Sequence, residues 1–296
     1  MSQLKPGFNN RPPFKSWLKA SWLDIATQLL CLLIAELIYL LATPLMPRYF
    51  PLSNNIWSTS WGLQHGKPYL AEYITTLVSA IISFAVPFLV MGAIGLWWVR
   101  DFWESNAAIM GLGYALATAT LFQSFIKWFI GGLRPHFLAV CVPLNPPPLP
   151  ALGAKVKEAQ MSFPSGHSSA AFAGFGFLAL YLNSKLKVVG RKPDGGRVLE
   201  GDGGTQGFYT PRGKEGGEEG RAGAAGDGRT RHWKVVVWVL PWLLAFLISA
   251  SKVRDCWHHP IDVLFGSLVG IVFAHLAYWC AFRGVYDGRV NHVPRH

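Results

Sequence analysis

Six long stretches of mainly apolar residues dominate this chain, and a soluble fold has no place for them. They cover residues 23–46, 73–99, 107–126, 167–186, 233–250 and 261–282. A helix needs ~20 residues to cross ~30 Å of hydrocarbon, and each stretch is near that length. The expected fold is therefore all-α, a polytopic membrane protein with six transmembrane helices in a bundle. Composition agrees. Of 296 residues, 51% are hydrophobic and 15% charged, against roughly 25% charged in an ordinary soluble chain. Length alone, at ~150 residues per domain, would have suggested two soluble domains. Disordered, collagen-like and small disulfide-stapled chains are excluded, the last because there are only four cysteines. The fourth stretch is the weakest, being short and interrupted by Gly174 and Gly176. Small residues there also allow close helix packing. Pro87 and Pro241 are expected to kink the second and fifth.

Charge supplies an orientation. The chain carries 27 Lys and Arg against 16 Asp and Glu, a net +11. Nucleic-acid binding would need a basic soluble surface, and no such domain is apparent. An anionic membrane surface or substrate remains. With six spans, both termini lie on one side. That side receives 19 of the basic residues and the other side eight. Positive-inside bias then puts the termini in the cytosol. The expected organisation is a basic arm over residues 1–22, a membrane body over 23–282, and a tail over 283–296. Within the body, 190–231 reads as a disordered cytosolic insertion. Residues 190–228 hold 14 of the 31 glycines and almost no large apolar side chain, too little to offset the entropy of ordering.

Polar residues that can do chemistry cluster at span ends on the opposite side. Lys127 and Arg134 are two fixed cations suited to a phosphate, which arginine grips with its planar fork. Ser165, Gly166 and His167 open the fourth span, where unpaired N–H groups and the helix dipole favour an anion. His167 can exchange a proton near neutral pH. Lys252 precedes His258 and Asp262, which stand four apart at the start of the sixth span, one helical turn if the helix includes both. A carboxylate that accepts from one ring nitrogen leaves the other with a free lone pair, so His258 is the candidate nucleophile. His259 has Val263 at that spacing and is less suited.

The segments from Lys127 to Arg134-Pro135, Pro164 to His167 and Ser251 to Asp262 resemble the three signature motifs of the type 2 phosphatidic acid phosphatase superfamily. Within it, residues 134–141 are similar to the fungal diacylglycerol pyrophosphate phosphatase branch. The resemblance spans roughly residues 20–285. It implies a lipid phosphate phosphatase that works without metal or other cofactor. Lys127, Arg134, Lys252, Ser165 and the Gly166 amide would hold the phosphate. His258 would attack phosphorus, Asp262 would orient it, and His167 would protonate the leaving group. It implies membrane lipids as surroundings, a lipid phosphate such as phosphatidic acid or diacylglycerol pyrophosphate as substrate, and a site on the lumenal or extracellular face. Sphingoid-base or isoprenoid phosphates, or a weakened lipid-phosphate-binding member, are the alternatives. The usual Ser-Arg of the third motif is Ser251-Lys252 here, with Arg254 a possible substitute.

Other residues read as structural. Glu36 inside the first span is expected to pack protonated or hydrogen-bonded, and His275 to pack. Trp17, Trp22, Trp97, Trp98, Trp233 and Trp257 read as interface anchors. Residues 143–150 read as a stiff outer loop, and Cys141 and Cys256, both in outer loops, are a candidate disulfide pair.

Overall fold

A computed structural model describes residues 7–46, 55–141, 149–190 and 230–295. The insertion expected at 190–231 lies almost wholly outside the described residues, as does most of the loop at 143–150. In chain order the helices are α1 (Phe14–Leu41), α2 (Ser60–His65), α3 (Thr76–Ile94), α4 (Phe102–Phe129), α5 (Phe137–Cys141), α6 (Leu149–Ala159), α7 (Gly166–Leu186), α8 (His232–Arg254) and α9 (Pro260–Ala281). Among the described residues there is no strand, only three isolated bridges.

Side-chain caps set several helix starts. Thr75 accepts from the Val78 N–H and Asp101 from the Glu104 N–H, each filling a donor that the first turn leaves open. Between α3 and α4 the chain turns through Arg100 at φ 57. Helices α3 and α8 run through Pro87 and Pro241 without breaking.

Five helices are long and apolar enough to cross a bilayer: α1, α3 with its extension to Val99, α4, α8 and α9. Their outward faces expose Leu29, Leu33, Leu77, Leu89, Phe246 and Leu264. So continuous an apolar surface is what lipid, not water, would cover. This is a multi-pass membrane protein. Helix α7 is the exception to the apolar rule, for a physical reason. It packs against α3, α4, α8 and α9, so protein rather than lipid surrounds it. It therefore buries Ser168, Ser169, Asn183 and Ser184 beside Phe175, Phe177 and Tyr181. Its glycines permit this: a Cβ at Gly174 would overlap the Ser83 carbonyl of α3.

Helix α1 sits at the edge, packed chiefly on α4. Glu36 is consequently exposed on it rather than packed, contrary to the sequence expectation. His275 is packed as expected, with Nδ1 against the Ile271 carbonyl and Nε2 on the Tyr286 hydroxyl.

One end of the bundle gathers the first and last described segments. Asn10 donates to Asp101 at 2.7 Å, Lys185 pairs with Glu104, and Lys187 donates to Asn291 of the tail at 2.6 Å. The opposite end holds the end of α4 and the starts of α7 and α9. There Gly266 of α9 lies against the Ser165 carbonyl, and a Cβ would overlap that oxygen. Gly266→Ala is expected to cost ~1–3 kcal/mol, the usual range for overpacking, and to lower the melting temperature in detergent. Gly92→Ala, inside α3 where a Cβ meets nothing, should not lower it, since alanine is the better helix former.

Candidate active site

The end away from Asn10 and Asn291 collects three loops. Helix α4 stops at Phe129, two residues past Lys127, and Gly131 and Gly132 turn the chain with φ 62 and 117. Lys127 and Arg134 are thus not on one continuous helix. The two glycine carbonyls accept from Phe163 at 2.7 Å and Ser162 at 3.0 Å. These bonds dock the first loop on the segment that enters α7. Ser165 caps α7 and is fully buried, its hydroxyl accepting from the Ser168 N–H at 3.5 Å and from the Ser168 hydroxyl at 3.1 Å. Its own N–H donates to the Asp262 carbonyl at 3.0 Å, joining α7 to α9.

His258 is not in helix α9. Its N–H donates to the Lys252 carbonyl at 3.1 Å, His259 is the N-cap, and Asp262 is the third helical residue. The Asp262 carboxylate reaches back to the His259 N–H at 3.0 Å, a capping-box contact. The spacing of four therefore works across a helix boundary. Nδ1 of His258 lies 3.6 Å from the Asp262 carboxylate, beyond a good hydrogen bond. Between them sits Ser162, which the sequence reading missed. Its buried hydroxyl donates to Asp262 at 2.5 Å and lies 3.5 Å from His258 Nδ1. Ser162 is thereby placed to accept from Nδ1–H, which leaves Nε2 the ring's lone pair. The His167 and His258 rings are 6.4 Å apart.

Arg134 is buried, 3.4 Å from Glu158, with its guanidinium 4.6 Å from the centre of the Trp257 ring. Trp257 is therefore part of the site and not the interface anchor expected of it. Its indole N–H is held by the Leu70 carbonyl at 2.9 Å. His136 packs edge-on against Trp257 and Tyr69, its Nδ1 2.9 Å from the Cys256 carbonyl. Lys252 is 0% exposed and lies 3.4 Å from Glu72, a residue not singled out from sequence. Arg254 does not substitute for it, being exposed and stacked 5.0 Å over Tyr73. Cys141 and Cys256 are both free. Among the described residues no three His, Cys, Asp or Glu side chains group as metal ligands.

Three nitrogens in this site are buried without a hydrogen-bond partner: Nε and Nη1 of Arg134, both donors, and Nε2 of His167. Such orphans are rare in a folded interior. Lys127 is half-buried, with the charges of Arg134, Glu158 and Asp262 acting on it.

Burial pushes His258 down to about 3, against the pull of Asp262 and with the Arg134 and Lys127 charges adding to it. Burial also pushes His136 down to about 4. Both rings are neutral in the folded protein at neutral pH. Between these values and 6.5 the unfolded chain binds protons that the folded one refuses, so stability falls as pH drops through that window. The melting temperature in detergent should decline steadily from pH 7 to pH 4. His136→Asn, which keeps a donor near the Cys256 carbonyl, should make the decline shallower.

Comparison with known proteins matches residues 108–286 to the PAP2 superfamily. Over 229 residues the chain is 30% identical to a probable lipid phosphate phosphatase 4 of Arabidopsis thaliana, covering 74% of this chain and 62% of that one. Over 224 residues it is 30% identical to a probable diacylglycerol pyrophosphate phosphatase 1 of Schizosaccharomyces pombe, covering 71% and 65%. With the Saccharomyces cerevisiae diacylglycerol pyrophosphate phosphatase 1 it shares 27% over 258 residues, 81% of this chain and 76% of that one. The chain thus spans a little over three fifths of the length of the Arabidopsis and fission-yeast relatives. No solved structure matches it.

Proposed function

The chain belongs to the PAP2 superfamily, and from that premise we propose that it is an integral membrane lipid phosphate phosphatase acting on phosphatidic acid, diacylglycerol pyrophosphate or both. The observation that carries this reading is the pair of buried, unpartnered donors on Arg134, with the unpartnered Nε2 of His167, beside His258. A phosphate satisfies such donors and offsets the cost of burying their charge. The names of the relatives point to the same lipid class.

In this mechanism Lys127, Arg134, Lys252, the Ser165 hydroxyl and the Gly166 N–H hold the phosphate oxygens. Ser162 and Asp262 fix the tautomer of His258, whose Nε2 attacks phosphorus. The P–O bond to the lipid breaks as the P–N bond forms, and His167 gives its proton to the departing oxygen. His167 then takes a proton from the water that attacks the phosphohistidine, releasing phosphate and restoring both histidines. Phosphoryl transfer asks mainly for positioning and charge stabilisation, which fixed cations and helix-terminal amides supply.

A lipid substrate fits the location. The site lies at the end of a bundle whose flanks suit hydrocarbon, so tails can stay in the bilayer while the headgroup enters. We take α7 as the sixth span despite its polar content, with the termini cytosolic and the site lumenal or extracellular. The test is phosphate release from both lipids in detergent micelles containing EDTA. The wild type should be active and His258→Ala inactive; equal activity in the two would remove His258 as nucleophile. Ser162→Ala should slow turnover by ~10²-fold, the scale on which misaligned reacting groups lose rate.

A further inference from the structure

Glu72 belongs to none of the three motifs, yet its carboxylate lies inside the site they form. Its Oε1 is 3.4 Å from Lys252 Nζ and 3.9 Å from His167 Nε2, with the side chain only 12% exposed. The chain around it is tied down. Lys67 N–H donates to the Pro135 carbonyl at 2.9 Å, and the Leu70 carbonyl accepts from Trp257 at 2.9 Å. Tyr73 N–H donates to Asp255 at 2.7 Å, and the Ile74 carbonyl accepts from Lys252 Nζ. Residues 67–74 thus form a strap from the first motif to the third, and Glu72 is the side chain it delivers.

The charges around His167 give that carboxylate a task. Burial opposes the protonated form of the His167 ring most, and the charges of Lys252 of α8, His258, Lys127 of α4 and Arg134 add to it. Among the described residues Glu72 is the only carboxylate within ion-pair distance of it. A general acid must hold its proton until the leaving oxygen develops charge. We propose that Glu72 is the positioning residue that keeps His167 protonated in this cation-lined site, and that it thereby governs which leaving groups the enzyme can expel.

The inference rests on His167 being the general acid. Its consequence is selectivity between the two lipids. Phosphatidic acid releases an alkoxide, whose conjugate acid is about as weak as water, so the P–O bond cannot break well without the His167 proton. Diacylglycerol pyrophosphate gives its terminal phosphoryl group to His258 and releases phosphatidate. That leaving oxygen belongs to a phosphate, with a conjugate acid of pKa about 6, and needs little protonation.

The experiment measures kcat on both lipids in the same micelles for the wild type, Glu72→Gln, Glu72→Asp and His167→Gln. For Glu72→Gln, kcat on phosphatidic acid should fall by ~10–10²-fold, part of the ~10²–10⁴ that general acid catalysis supplies. On diacylglycerol pyrophosphate it should fall by less than about threefold. Glu72→Asp should recover part of the first loss. His167→Gln should show the same preference more strongly. Equal losses on both lipids in Glu72→Gln, with the preference present in His167→Gln, would overturn the role of Glu72 alone. Equal losses in His167→Gln would overturn the acid role of His167 itself. A rise in KM on both lipids without change in kcat would reassign Glu72 to holding Lys252.

Discussion

The site depends on two helix starts being pressed together. Ser165 at the head of α7 donates its N–H to the Asp262 carbonyl in the first turn of α9. Gly266, one turn further along α9, leaves the Ser165 carbonyl room. This contact fixes His167 relative to His258 and Asp262, although the two motifs are about ninety residues apart in the chain. It also brings two positive dipole ends to one place, which favours an anion there before any side-chain charge is counted. Because α7 is enclosed by four neighbours, this geometry stands on the most enclosed helix of the bundle.

Burying so many cations at one point is costly, and the fold answers with partial compensation. Arg134 has Glu158 on one side and the face of Trp257 on another, yet two of its nitrogens lack acceptors. Lys252 has Glu72 and a backbone carbonyl. Complete pairing would leave nothing for a ligand to gain. Removal of every carboxylate would leave the cations repelling one another in a poorly screened site. A half-satisfied cluster is the condition in which an incoming dianion gains most.

Much of this was legible in the sequence. Long apolar runs fix helices α1, α3, α4, α8 and α9 because lipid contact demands hydrophobicity along most of a helix. Helix α7 is faint by that measure because its neighbours are protein, and Ser and Gly serve there better than Leu. The motif residues were legible because their types and spacings are constrained jointly. Ser162 and Glu72 were not, since a lone serine or glutamate in a loop carries no periodicity. Only the strap hydrogen bonds and the Asp262 contact single them out. Trp257 misled because a tryptophan near a span end has the same sequence signature whether it faces lipid headgroups or an arginine. The four-residue spacing of His258 and Asp262 suggested a shared helical face, whereas the real link is a capped helix start preceded by an irregular histidine.

The departure at Lys252 is coherent with the rest of the site. Arginine offers a planar fork that suits two phosphate oxygens, but it needs space for five donors. At this position the side chain is wholly enclosed, and two of its directions are already taken by Glu72 and the Ile74 carbonyl. A compact ammonium with three donors can meet both and still turn one N–H towards a phosphate. A guanidinium would have to displace the strap or leave donors unmet. Arg134, stacked on Trp257 with two nitrogens unspent, is a planar fork already present in the site. Lysine is the residue that lets Glu72 share the site.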